Sequence, residues 1–152
     1  VNFVCAATNL TEPAMGTFLG PGILDHFEAA ISEDESIHAS AIEKFLRGCF
    51  HKPISESDFQ DALSYNREVR PDVRLALVSR DIDNSPVLRQ MNCPILISQG
   101  REDTIVLPAM AEVISSNSKN ASLSWFNGVG HAPFVEDVER FNKELETFVD
   151  GL

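Results

Sequence analysis

Apolar positions follow two different rhythms along this chain. Short, nearly unbroken apolar runs occur at the start, Val1-Asn2-Phe3-Val4-Cys5-Ala6-Ala7, and again late in the chain, Pro94-Ile95-Leu96-Ile97-Ser98 and Ala121-Ser122-Leu123-Ser124-Trp125-Phe126. Runs of that length, bounded by Pro, Gly and polar clusters, predict buried strands. The first is predicted to end near Thr8, where Asn9-Leu10-Thr11-Glu12-Pro13 breaks it. From about residue 14 to residue 86 the rhythm changes to three- and four-residue steps, as in Phe27, Ala30 and Ile31, or Ile42, Phe45, Leu46, Cys49 and Phe50. That spacing predicts amphipathic helices.

Local signals place several helix boundaries. Ser55-Glu56-Ser57-Asp58 reads as a capping box ahead of Phe59, Ala62 and Leu63, and Pro71 suits the first turn of a helix through Leu75 and Val78. Asp83-Asn84-Ser85-Pro86 predicts the start of a short helix over Val87 to Met91. Pro108 opens another, with Met110, Val113 and Ile114 facing the sheet and Ser115-Ser116-Asn117-Ser118 closing it. Val138, Phe141, Leu145, Phe148 and Val149 form the most regular apolar stripe and predict a C-terminal helix. Strands separated by helices in this order predict an α/β fold with a small parallel sheet.

Composition narrows the class. A chain of 152 residues suffices for one domain with a real core but is short for a complete doubly wound sheet carrying an added helical layer. It starts in what reads as mid-strand, so truncation, gene fragmentation or loss of a preceding chain is expected. With 12 Lys and Arg against 23 Asp and Glu, the net charge of −11 argues against nucleic acid and against an anionic membrane surface as partners. No membrane span or signal peptide is visible. Cys5, Cys49 and Cys93 are odd in number and lack metal or redox spacing. They are expected to be small buried residues of a reducing, cytoplasmic compartment.

The chemistry concentrates between Cys93 and Glu136. The strand at Ile95 runs into Gly100-Arg101-Glu102-Asp103, and the strand at Leu123 runs into Gly128-Val129-Gly130-His131-Ala132-Pro133-Phe134. Two adjacent parallel strands joined by a helix would set Asp103 and His131 side by side at the C-terminal rim of the sheet, where open α/β sheets place their ligands. A histidine acting as general base must be held in one tautomer, and a carboxylate accepting its Nδ1 proton does this. Asp103 is thus the candidate orienting acid and His131 the candidate base. His26, His38 and His51 share no ligand spacing and are expected at solvated helix positions, and no cofactor or metal motif is present. Tyr65, the one tyrosine, is expected to be half-buried in a packing role.

Residues 91 to 149 resemble the C-terminal end of a capped α/β-hydrolase of the serine-hydrolase, esterase-like kind. Gly100 to Asp103 with Ile105-Val106-Leu107-Pro108 is similar to the acid loop, and Gly128 to Glu136 to the histidine loop. The resemblance implies an α/β-hydrolase parallel sheet of about three strands, flanking helices, and a helical cap over about residues 14–86. It also implies a nucleophile ahead of the acid, on a Gly-x-Ser-x-Gly elbow. No such elbow occurs: the nearest pattern, Gly16-Thr17-Phe18-Leu19-Gly20, has phenylalanine at its centre.

What the resemblance implies is therefore half an enzyme. Asp103 and His131 would serve a Ser-Asp-His triad that hydrolyses small, mostly apolar carboxylic esters or related carbonyl compounds, with the serine and oxyanion hole lying outside this chain, which alone would be inactive. Two alternatives stay open: an aspartate nucleophile, as in haloalkane dehalogenases and epoxide hydrolases, whose cap carries a proton-donating tyrosine, or a non-catalytic ligand-binding module. Five of the ten phenylalanines, Phe18, Phe27, Phe45, Phe50 and Phe59, fall in the cap, where some are expected to line the pocket. The first strand, lacking a neighbour on one side, is expected to pair with a complementing chain or a second copy.

Overall fold

The computed structural model describes residues 1–152. Three parallel strands, β1 (Asn2–Val4), β2 (Ile95–Gly100) and β3 (Ala121–Phe126), form a sheet in the order β1-β2-β3. Register pairs Phe3 with Ile97 and Ile97 with Leu123, so each row across the sheet shares one face. All six residues of β2 are buried, as a central parallel strand requires.

The two faces differ. Ile95 and Ile97 point toward α8 (Ala109–Asn117), which supplies Met110, Ala111 and Ile114, and α7 (Ser85–Gln90) adds Leu88 behind it. This is the main core. The opposite face carries Asn2, Ser98, Ser122 and Ser124 among its apolar residues and is covered by α9 (Pro133–Glu136) and α10 (Val138–Asp150). The buried hydrophobic cluster there is small, Phe126, Val129 and Phe141. Polar contacts supplement it: Ser124 Oγ donates to Glu144 (2.6 Å), and Arg140 reaches both Ser124 Oγ and the Trp125 carbonyl. The apolar stripe of α10 is correspondingly only part-covered, with Val138 and Val149 about half exposed.

The helices between β1 and β2 form a second layer with its own core. They are α1 (Glu12–Phe18), α2 (Pro21–Leu24), α3 (Phe27–Ala30), α4 (Glu35–Gly48), α5 (Glu56–Arg67) and α6 (Pro71–Val78). Asp34 caps α4 by accepting from the amides of Ser36 and Ile37, and the helix buries Ala41, Ile42 and Leu46 against Ala30, Phe59 and Leu63. Ser55 caps α5 through the Asp58 amide. The capping box is half made, because the Asp58 carboxylate takes the Ser55 hydroxyl instead of the Ser55 amide. The chain leaves and rejoins the sheet layer through a two-stranded neck: Leu10 N donates to Ile82 O, Asn84 N donates to Thr8 O, and Asn9 bridges Asp83.

Some expectations need correction. The first strand stops at Val4 and does not reach Thr8, because Cys5 adopts a left-handed backbone (φ 44°) and turns the chain out of the sheet. Cys93 is exposed, not buried, since it sits in the turn between α7 and β2 at the sheet's outer end. Tyr65 is 72% exposed on the outside of α5 and packs against nothing substantial. His26 and His38 are half-buried: the first lines a cavity and the second places Nδ1 2.8 Å from the Ala30 carbonyl oxygen.

Candidate active site

Asp103 and His131 meet at the C-terminal ends of β2 and β3. Imidazole Nδ1 lies 2.9 Å from Asp103 Oδ2, with the carboxylate side chain fully buried and the imidazole 28% exposed. The rest of the carboxylate is saturated. Oδ1 accepts from the amides of Ile105 (2.8 Å) and Val106 (3.1 Å), and Oδ2 also accepts from Gln99 Nε2 (3.1 Å). With three N–H groups already donating to it, Asp103 is an acceptor toward the imidazole as well, so Nδ1 carries the proton and Nε2 presents its lone pair. Nε2 makes no hydrogen bond within the chain.

Backbone geometry makes the meeting possible. A β-carbon on Gly100 would stand 1.9 Å from the Gly130 carbonyl oxygen, so only glycine lets the two loops approach this closely. Gly128 takes a left-handed φ of 69° where the chain leaves β3. Two glutamates then fix the histidine loop. Glu102 accepts from the amides of Gly128 and Val129 at 2.8 and 3.1 Å. Glu136 accepts from Gly130 N at 2.8 Å with one oxygen, and from His51 N and Lys52 N at 2.8 and 3.1 Å with the other. The His131 amide donates to the Cys49 carbonyl at 2.8 Å. The loop bearing the imidazole is therefore tied both to the sheet and to the end of α4.

Sequence reasoning singled out Asp103 and His131 and missed Gln99, Cys5 and the bracing role of Glu102. Gln99 left a trace: a glutamine closing an otherwise apolar, fully buried strand needs polar partners. It finds them in Asp103 Oδ2 and the carbonyls of Gly100 and Val106. Cys5 left none, since only the turn at φ 44° swings its Sγ beneath the pair, within 4.8 Å of Asp103 and His131 ligand atoms.

Cys5, Asp103 and His131 are also residue types that ligate metals, and their ligand atoms lie within 4.8 Å of one another. Burial, reinforced by the Asp103 charge, pushes the Cys5 thiol far above its ordinary range. Cys49 is pushed up to about 12 by burial first and by Asp103 and Glu136 next. At pH 8 only about one Cys49 in 10⁴ is then thiolate. Iodoacetamide at that pH is expected to label Cys93 alone and to reach Cys5 and Cys49 only after denaturation, as peptide mapping would record. Labelling of Cys5 in the folded chain would contradict the sealed floor.

Tyr65 faces solvent in this chain. No helix is long and apolar enough to cross a membrane.

Comparison with known proteins bears on the fold. No protein-family model matches the chain. Over 70 residues, 46% of this chain and 22% of the relative, it is 30% identical to Lipase 3 of Moraxella sp. (strain TA144). The structure superposes on the esterase RhEst1 from Rhodococcus sp. ECU1013 with a TM-score of 0.91 and 28% identity, covering 99% of this chain and 55% of that one. The esterase EaEST from Exiguobacterium antarcticum gives a TM-score of 0.73 at 24% identity, over 83% of this chain and 48% of that one. The chain thus spans about half the length of these solved structures. From its parallel sheet, its loop order and these superpositions, the chain has the α/β-hydrolase fold and corresponds to the C-terminal portion of that fold.

Proposed function

We propose that this chain supplies the acid and the histidine of a Ser-Asp-His hydrolase that cleaves carboxylic esters, with the helices of about residues 14–86 acting as a cap. The observation that carries the reading is the 2.9 Å contact between Asp103 and His131, with Nδ1 engaged and Nε2 open. The similarity to the esterase RhEst1 and to Lipase 3 supports the ester class.

A serine placed outside these 152 residues attacks the ester carbonyl while His131 Nε2 takes its proton. The tetrahedral oxyanion collapses with loss of the alcohol, which receives that proton back, leaving an acyl-enzyme. His131 then takes a proton from water as the water oxygen attacks the acyl carbon, and returns it to the serine oxygen as the carboxylic acid departs. Asp103 keeps the ring oriented and offsets the imidazolium charge. The serine-bearing segment would join at the free edge of β1. Val1 O and Cys5 N bond to β2, so by alternation Asn2 and Val4 aim their backbone groups the other way, ready for another parallel strand. A second copy of this chain could occupy the same edge but would bring no serine elbow.

The test is hydrolysis of p-nitrophenyl butyrate. The 152-residue chain is expected to give no turnover above background, and the chain extended by, or mixed with, a segment carrying a Gly-x-Ser-x-Gly elbow is expected to turn over. Turnover by the chain alone, or an assembled protein that stays inert with its fold intact, would overturn the proposal.

A further inference from the structure

Between the helical layer and the loop that follows β2 lies a cavity of about 300 Å³. One wall is Ile105 and Val106, immediately beyond Asp103. Of its 15 lining residues 12 are hydrophobic, and the other three are His26, Arg74 and Arg80. Every polar side chain lining this cavity is thus a nitrogen base or a cation, in a chain whose net charge is −11. No aspartate or glutamate lines it.

Neither arginine has an ionic partner. The arginine ion pairs of the chain are Arg47–Glu43, Arg70–Asp72 and Arg140–Glu144. Arg74 donates only to the backbone carbonyls of Val69 (3.2 Å) and Asn66, and Arg80 Nε donates to the Leu77 carbonyl at 2.9 Å. Glu12 and Asp81 border Arg80 in an adjoining surface groove without forming an ion pair with it. Burial lowers the Arg74 pKa and no neighbouring anion opposes the shift. A partly buried guanidinium that satisfies its geometry on carbonyl oxygens still lacks a counter-charge, and a ligand carboxylate would supply one with charge-assisted hydrogen bonds.

We propose that this cavity receives an amphipathic organic acid, an apolar chain or ring ending in a carboxylate, with the apolar body against Phe27, Phe45 and Ile105 and the carboxylate at Arg74 and Arg80. Resting on the hydrolase reading above, this assigns the substrate class as esters whose acyl part carries a distal carboxylate.

The experiment is a methyl-resolved NMR titration of the 152-residue chain with 4-phenylbutyrate and its neutral isostere 4-phenylbutanamide. The carboxylate is expected to bind about tenfold more tightly, with shifts at Ile23, Ile42 and Ile105. Arg74→Gln with Arg80→Gln is expected to bring the acid down to the affinity of the amide while leaving the amide unchanged. Should loss of Arg74 disturb α6, Arg80→Gln alone must still reduce the preference, because that side chain is exposed. Equal affinities in the wild-type chain, shifts confined to another surface, or a preference untouched by Arg80→Gln would overturn the assignment. Binding is read without turnover. An acid preference in a protein that assembles but never hydrolyses esters would therefore sink the hydrolase reading and the ester class with it but leave the acid-binding cavity, and turnover without the preference would sink the cavity assignment alone.

Discussion

In an assembled, serine-bearing protein, Asp103→Asn is expected to lower ester turnover by about 10⁴-fold, and His131→Ala to lower it by a similar factor. The carboxylate is held by donors on both oxygens: Ile105 N and Val106 N on Oδ1, Gln99 Nε2 and His131 Nδ1 on Oδ2. An asparagine must keep its oxygen on the two backbone amides, so its NH₂ falls where Oδ2 was and confronts the Gln99 amide donor. His131 can meet that NH₂ only by accepting at Nδ1, which transfers the ring proton to Nε2 and removes the base. Gln99 cannot rotate to relieve the clash without losing its bonds to Gly100 O and Val106 O. Two measurements check this: p-nitrophenyl butyrate turnover of the assembled variants, and imidazole ¹⁵N shifts of the 152-residue chain, which should report Nδ1–H in the parent and Nε2–H in Asp103→Asn. An unchanged tautomer in the variant would show that Asp103 does not orient the ring.

Phe126→Ala is expected to cost about 3–5 kcal/mol of unfolding free energy. Phe126 is fully buried at the end of β3, 6.4 Å from the Phe141 ring by centroids, with the Arg140 guanidinium 4.1 Å above its own ring. The cluster beneath α10 has only two other buried members, Val129 and Phe141, so little apolar material can collapse into the void. Loss of the ring also strips the packing from the turn that leads to Gly128 and His131. Urea denaturation followed by far-UV circular dichroism measures the change. A loss below about 1 kcal/mol would mean that the α10 face contributes little to holding the sheet.

The parts of this fold legible in the sequence were those written in short-range chemistry. The apolar run Ile95 to Ser98 bounded by Pro94 and Gly100, Pro71 and Pro86 in the first turns of their helices, and the Gly-x-x-Asp and Gly-x-Gly-His series all found their predicted places. The acid–histidine contact was readable because parallel strands bring their ends to one rim. What escaped depends on contacts between distant segments. Cys5 looked like mid-strand until its left-handed backbone ended β1, and no local pattern announces that turn. Glu136 looked like one acid beyond the histidine loop, yet it ties Gly130 to His51 and Lys52 some 85 residues earlier. Among the five phenylalanines of the helical segment, Phe27 and Phe45 line the cavity while Phe59 is core, although all sit at helical spacing. Periodicity gives the face of a helix, not the neighbour that face meets.

The neck at Asn9 and Asp83 has an evolutionary corollary. Because the outgoing and returning backbones run side by side there, everything between them hangs from a single doorway, and lengthening, shortening or exchanging that material need not move the two rim loops. Under the proposed reading, selection could therefore retune what the protein admits by rewriting the helices beyond the doorway, while Asp103 and His131 keep an unchanged floor.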